Sequence, residues 1–101
     1  MKLRMESIGT TLVVKPNGEI DQSCAAEMRA DIDREIQRTH AKNLILDLGN
    51  VTFMDSSGIG MIIGRYKIIQ ALGGKTMMIR PQPQVDKLLD LTGLKKIVEC
   101  S

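Results

Sequence analysis

At 101 residues, 43% of them hydrophobic and 26% charged, the chain is long enough for a single globular domain, 1–101, whose core needs neither disulfides nor a structural metal. With 14 Lys and Arg against 12 Asp and Glu, the formal charge is +2, too even for an electrostatic nucleic-acid binder. Aromatics at 2% also remove the stacking platforms of single-strand binders and leave Ile, Leu, Val and seven methionines to fill the core.

In chain order, KLRMESIGTTLVVKPNGEI reads as two strands. Leu3, Met5 and Ile8 alternate with polar residues, Leu12, Val13 and Val14 are β-prone, and Gly9 marks the turn between them. Pro16, Asn17 and Gly18 are strong turn formers and are expected to bring the chain to an edge of the domain. Asp21 or Ser23 then caps a helix over roughly 24–38, with Ala25, Met28, Ile32 and Ile36 as its apolar stripe. A buried strand over 44–48 closes at Gly49 and Asn50.

The next helix carries Ile59, Ile62, Ile63, Tyr66 and Ile69 on one face and ends at Gly73 and Gly74. Met61, Ile68 and Leu72 form a second stripe on it. KTMMIR is a short strand, and Pro81 and Pro83 precede a helix with Val85, Leu88, Leu89 and Thr92 inward. Gly93 stops that helix, and LKKIVEC provides a last strand. The order is ββαβαβαβ, an α/β fold with a mixed, mostly parallel sheet covered by helices.

No apolar run approaches the roughly 18–20 residues of a membrane span, and MKLRMESIGT lacks the apolar stretch of a secretory signal. Cys24 and Cys100 fit neither a metal spacing nor a disulfide framework. A reduced, cytoplasmic setting without cofactor, metal or membrane contact is the expectation.

FMDSSGIG, Phe53 to Gly60, sets two hydroxyls and a carboxylate at a strand-to-helix junction, beyond the carboxyl end of a parallel strand where such sheets bind ligands. A nucleophile elbow needs Gly on both sides of its Ser, and neither Ser56 nor Ser57 has that pattern. The lone histidine, His40, precedes the third strand and belongs at its opposite end, so no catalytic triad is expected. Gly58 and Gly60 at a helix start offer N–H groups to an anion, but no GxxxxGK[ST] accompanies them, and nucleotide binding is weakly supported. Asp55 or Ser56 caps the helix in the plainest reading. A hydroxyl at an exposed helix start is also a kinase target, where phosphate would act on a docking partner by its charge. Gly60 and Gly64 permit close approach, either of the domain's own sheet or of a partner.

FMDSSGIG, followed by GRYK at Gly64 to Lys67 and preceded by GEID at Gly18 to Asp21, resembles the sporulation anti-sigma factor antagonists of the STAS-domain family. The likeness spans essentially the whole chain, including LLDLTGLKKI. It implies a partner-switching protein, not an enzyme. The unphosphorylated form would bind an anti-sigma factor that is also a serine kinase, with ATP held by that partner, and so free the sigma factor. Phosphorylation of Ser56 would end tight binding, and a PP2C-type phosphatase would restore it. By position, Ser57 is the second motif serine at the helix start, and Asp55 and Gly58 shape the site. Asp21 matches the other exposed loop, and Gly60 and Met61 fall on the implied partner surface. The same resemblance admits a general-stress antagonist, or a STAS module that binds a nucleotide or other small ligand. Relatives usually continue into a further C-terminal helix where this sequence reads VECS.

Overall fold

The computed structural model describes residues 2–101. Six strands and three helices follow one another: β1 (Lys2–Ile8), β2 (Thr11–Ile20), α1 (Gln22–Thr39), β3 (Asn43–Asp47), β4 (Asn50–Met54), α2 (Ser56–Ala71), β5 (Thr76–Ile79), α3 (Pro83–Leu91) and β6 (Glu99–Cys100). The sheet runs β1-β2-β3-β5-β6, and β4 pairs with β2 beyond the end of β3. Only β1 is antiparallel to its neighbour; β2, β3, β4, β5 and β6 pair in parallel. The mixed, mostly parallel α/β sheet expected from the sequence is present.

Register explains the core. Leu12, Leu44 and Thr76 lie in one row across the sheet, and Val14, Leu46 and Met78 in the next. All six are buried. The crossovers β2-α1-β3 and β4-α2-β5 step the same way along the sheet, so the right-handed rule puts α1 and α2 on the same face. Met28, Ile32 and Ile36 of α1 and Ile59, Ile62 and Ile69 of α2 cover those rows. The opposite face, with Val13, Ile45 and Met77 in register, is half-buried.

Three local expectations are corrected. Pro16, Asn17 and Gly18 do not turn the chain; β2 runs through them. On that edge β2 pairs with β3 from Thr11 to Val14 and with β4 from Asn17, so Pro16 falls between two partners, where a missing N–H costs little. Gly18, at φ +114, takes up the register shift that follows. Gly49 and Asn50 do turn the chain after β3, with Val51 N–H donating to the Leu48 carbonyl at 3.1 Å, but a further strand, β4, follows at once where the expected order placed none. LKKIVEC opens with a 3₁₀ turn, Leu94–Lys96, with Ile97 N–H donating to the Leu94 carbonyl at 3.0 Å, and only Glu99 and Cys100 remain as strand.

Gly49 sits beneath Arg80, whose guanidinium spans Asp47 through Nε to Oδ1 at 3.2 Å and a terminal nitrogen to Oδ2 at 2.9 Å. Burial alone would raise the Asp47 pKa, but the Arg80 hydrogen bond and the Gly49 N–H outweigh it and hold it below the usual range. This clamp joins the ends of β3 and β5. The Gln82 side-chain amide donates to the Gly49 carbonyl at 3.0 Å and anchors the start of α3 beside β4.

Candidate functional site

β2 and β4 are parallel neighbours, and each is followed at once by an aspartate that caps a helix. Asp21 caps α1: its backbone is extended at φ −127, and its Oδ1 accepts from Ser23 N–H at 2.9 Å and Ser23 Oγ at 2.5 Å. The Ser23 hydroxyl bond holds the Asp21 carboxyl below the usual carboxylate range. Asp21, not Ser23, is therefore the cap, because an extended residue can aim its side chain back at the first turn.

Asp55 caps α2 in the same way, with Oδ1 accepting from Ser57 N–H at 2.9 Å and Gly58 N–H at 3.3 Å. Its other oxygen reaches across and accepts from Gln22 N–H, in the first turn of α1, at 3.2 Å. One carboxylate thus ties the amino ends of both helices together, while Asp55 N–H donates to the Ile20 carbonyl at 3.2 Å. Asp55→Ala should cost about 1–2 kcal/mol for the lost cap and unpaired N–H groups, seen as a lower urea midpoint. Asp55→Asn, which keeps an acceptor, should lose less than half of that.

Ser56 is the first residue of α2 and is exposed, with the positive ends of two helix dipoles beside it. Ser57 is half-buried and turned toward α1. The three glycines of this helix divide by environment. A Cβ on Gly58 would lie 2.5 Å from Met54 Cγ and 3.0 Å from Ile20 Cγ2, so Gly58 is needed for α2 to sit on β2 and β4. A Cβ on Gly60 or Gly64 would meet nothing within 4 Å. Packing on the domain's own sheet therefore accounts for Gly58 alone.

Gly60 and Gly64 instead line a groove of about 440 Å³ between α1 and α2, with Gln22, Arg29, Ser57 and Met61. Met61 is 5% exposed, and it floors this groove more than it projects from it. Arg65, which the sequence pattern left unassigned inside GRYK, is buried beneath it. Its Nε lies 2.7 Å from Asp33 Oδ1 of α1, a charge contact whose angle falls short of a good hydrogen bond. A terminal nitrogen of Arg65 also donates to the Met61 carbonyl at 3.4 Å. Burial lowers the Arg65 pKa, Asp33 opposes that, and Arg29 adds to it. Its place one turn after Met61, on the face that also carries Ile62 and Ile69, was the signal that a buried acid was required, whereas Lys67 of the same helix is exposed.

His40 caps the carboxyl end of α1 in a left-handed conformation at φ +55. The 18-residue helix separates it from the Asp55–Ser56 end by roughly 27 Å, which removes it as a base for either serine. No described helix is long and apolar enough to cross a membrane.

The mixed sheet thus leads two neighbouring parallel strands into aspartate-capped helices, with an exposed serine first on one of them. Residues 2–101 match the STAS-domain family model, and the chain belongs to that family. It is similar to an anti-sigma F factor antagonist of Paenibacillus polymyxa, 40% identical over 98 residues covering 97% of this chain and 84% of the relative. An anti-sigma-B factor antagonist of Bacillus subtilis is 31% identical over 84 residues, 83% of this chain and 75% of the relative. Among solved structures, the anti-sigma factor antagonist SpoIIAA in its unphosphorylated form superposes with a TM-score of 0.86 at 29% identity, over 99% of this chain and 88% of that one. The Bacillus cell fate determinant SpoIIAA in the phosphorylated form gives 0.77 at 28% identity, over 99% and 91%.

Proposed function

We propose that this chain is an anti-sigma factor antagonist that acts in the cytoplasm by partner switching, and that Ser56 is the residue on which the switch is written. The unphosphorylated protein binds an anti-sigma factor with serine kinase activity and releases the sigma factor. The kinase, using its own ATP, phosphorylates Ser56, and a PP2C-type phosphatase reverses the step. The observation that carries this reading is an exposed Ser56 at the helix start, next to a groove bounded by Gly60 and Gly64, where an added Cβ would meet no atom of the domain within 4 Å. A relative of the same fold known in phosphorylated and unphosphorylated forms supports it, as do relatives that antagonise anti-sigma factors.

Asp21, Asp55 and Ser57 set the shape of the docking surface, Gly58 lets α2 sit low, and Gly60 and Met61 form the wall and floor that a partner meets. Gly60→Ala separates these roles. The substitution should raise folding stability by about 0.5–1 kcal/mol through helix propensity. It should weaken anti-sigma binding at least about tenfold, because the new methyl stands where the partner packs. Equal affinity with higher stability would remove Gly60 from the interface.

Incubation with an ATP-loaded anti-sigma kinase, followed by peptide mass mapping, tests the assignment. One phosphate on Ser56 is expected; a phosphate on Ser57, or none, overturns it. A small-ligand role is the second reading, favoured by the volume of the groove and the presence of Arg29 in it. Saturable nucleotide binding by calorimetry, lost in Arg29→Ala, would support that alternative.

A further inference from the structure

We propose that the outer edge of β1 pairs with the same edge of a second copy of this chain, giving a two-fold dimer built on one continuous antiparallel sheet. β1 ends the sheet, and β2 is its one strand partner among the described residues. Seven residues of backbone, KLRMESI, therefore offer their outward N–H and C=O groups to solvent.

The ladder determines which groups those are. Ile8 pairs with Thr11 across a two-residue turn, with Gly9 at φ +59 in the first turn position that a tight hairpin requires. The closing pair of such a hairpin is hydrogen-bonded, so Ile8, Glu6, Arg4 and Lys2 turn their backbone groups to β2. Ser7, Met5 and Leu3 turn theirs outward. A two-fold axis at Met5 matches this set to itself: Met5 meets its own copy, and Leu3 meets Ser7 on either side.

The same axis sets Arg4 of one copy directly opposite Glu6 of the other, and does so twice. These are non-hydrogen-bonded pairs, where facing side chains come closest. Within a single chain the arrangement is unsatisfied. Arg4 lies across from Lys15, a like charge, and Glu6 lies across from Val13. Neither Arg4 nor Glu6 belongs to an ion pair among the described residues. Alternating charges on an edge deter most foreign strands, yet this sequence is complementary to itself reversed. The Ser56 surface stays open in such a dimer, since β4 lies on the other edge of β2 from β1.

Sedimentation velocity of the full chain from roughly 10 µM to roughly 500 µM spans the range where so small an interface would assemble. A concentration-dependent dimer is expected. Arg4→Glu and Glu6→Arg should each weaken it about tenfold by placing like charges opposite one another, and the combined R4E/E6R exchange should restore it. Met5→Pro removes an outward N–H without touching the β1-β2 ladder and should give a monomer with an unchanged circular dichroism spectrum. A wild type that stays monomeric throughout overturns the proposal, as does a dimer indifferent to all of these changes. Association only with a strand of another protein likewise overturns it.

Discussion

Ser56→Asp should bind the anti-sigma factor at least about 100-fold more weakly than the parent, while Ser56→Ala stays within about threefold. The difference follows from where the charge lands. At the first position of α2 a carboxylate or phosphate is welcomed by the helix dipole, worth about 0.3–1 kcal/mol, so the fold is not weakened. On the proposed function the cost would fall on the complex, where a fixed negative charge would have to be desolvated against the partner. A 100-fold loss is about 2.7 kcal/mol, within the reach of one misplaced interfacial charge. Isothermal titration beside thermal melts separates the two effects: affinity falls and the melting temperature holds or rises slightly. A Ser56→Asp protein that binds as tightly as the parent would refute the charge mechanism.

Gly74→Ala should be the most damaging single methyl in the molecule, at about 3 kcal/mol or more, read from the urea midpoint at constant slope. A Cβ there would fall 1.4 Å from the Lys42 carbonyl oxygen and 2.5 Å from its carbon. Neither side can move freely. Gly74 N–H is bonded to the Ile69 carbonyl at 3.0 Å, and Lys42 and Asn43 both donate to the Thr10 carbonyl, at 2.8 and 3.0 Å. Asn43 Oδ1 also accepts from Lys75 N–H at 3.0 Å, so the segments are stitched together at the point of contact. A loss below about 1 kcal/mol would mean that the loop before β3 yields, and that this contact is not what closes α2 onto the sheet.

The contrast among glycines illustrates what patterning conveys. In the sequence Gly58, Gly60 and Gly64 look alike, three weak helix formers in one helix. Only the packing of α2 on β2 and β4 distinguishes the one that must lack a side chain from the two that face a groove. Gly73 and Gly74 read together as a helix stop, and Gly73 at φ +80 is the left-handed residue after α2, but the contact of Gly74 with Lys42 joins parts of the chain more than 30 residues apart and leaves no local trace. Leu72, placed in an apolar stripe by spacing, is 51% exposed because α2 has ended before it.

Local rules determined much of this protein. Helical spacing marked all three helices and capping chemistry the first two, β-prone runs marked five strand segments, and the absence of a base beside two serines already argued against a hydrolase. The Asp-Ser-Ser-Gly junction was visible as a polar cluster at a strand-to-helix turn. Tertiary structure alone decided the rest. β4 exists because the second half of β2 offers it a partner, and β2 can pass through Pro16 because the partner changes there. Asp55 bonds the first turn of a helix 33 residues earlier, and Arg65 finds Asp33 across a helix pair. A periodicity records which face of an element is buried; it does not record what that face, or the end of the element, will meet.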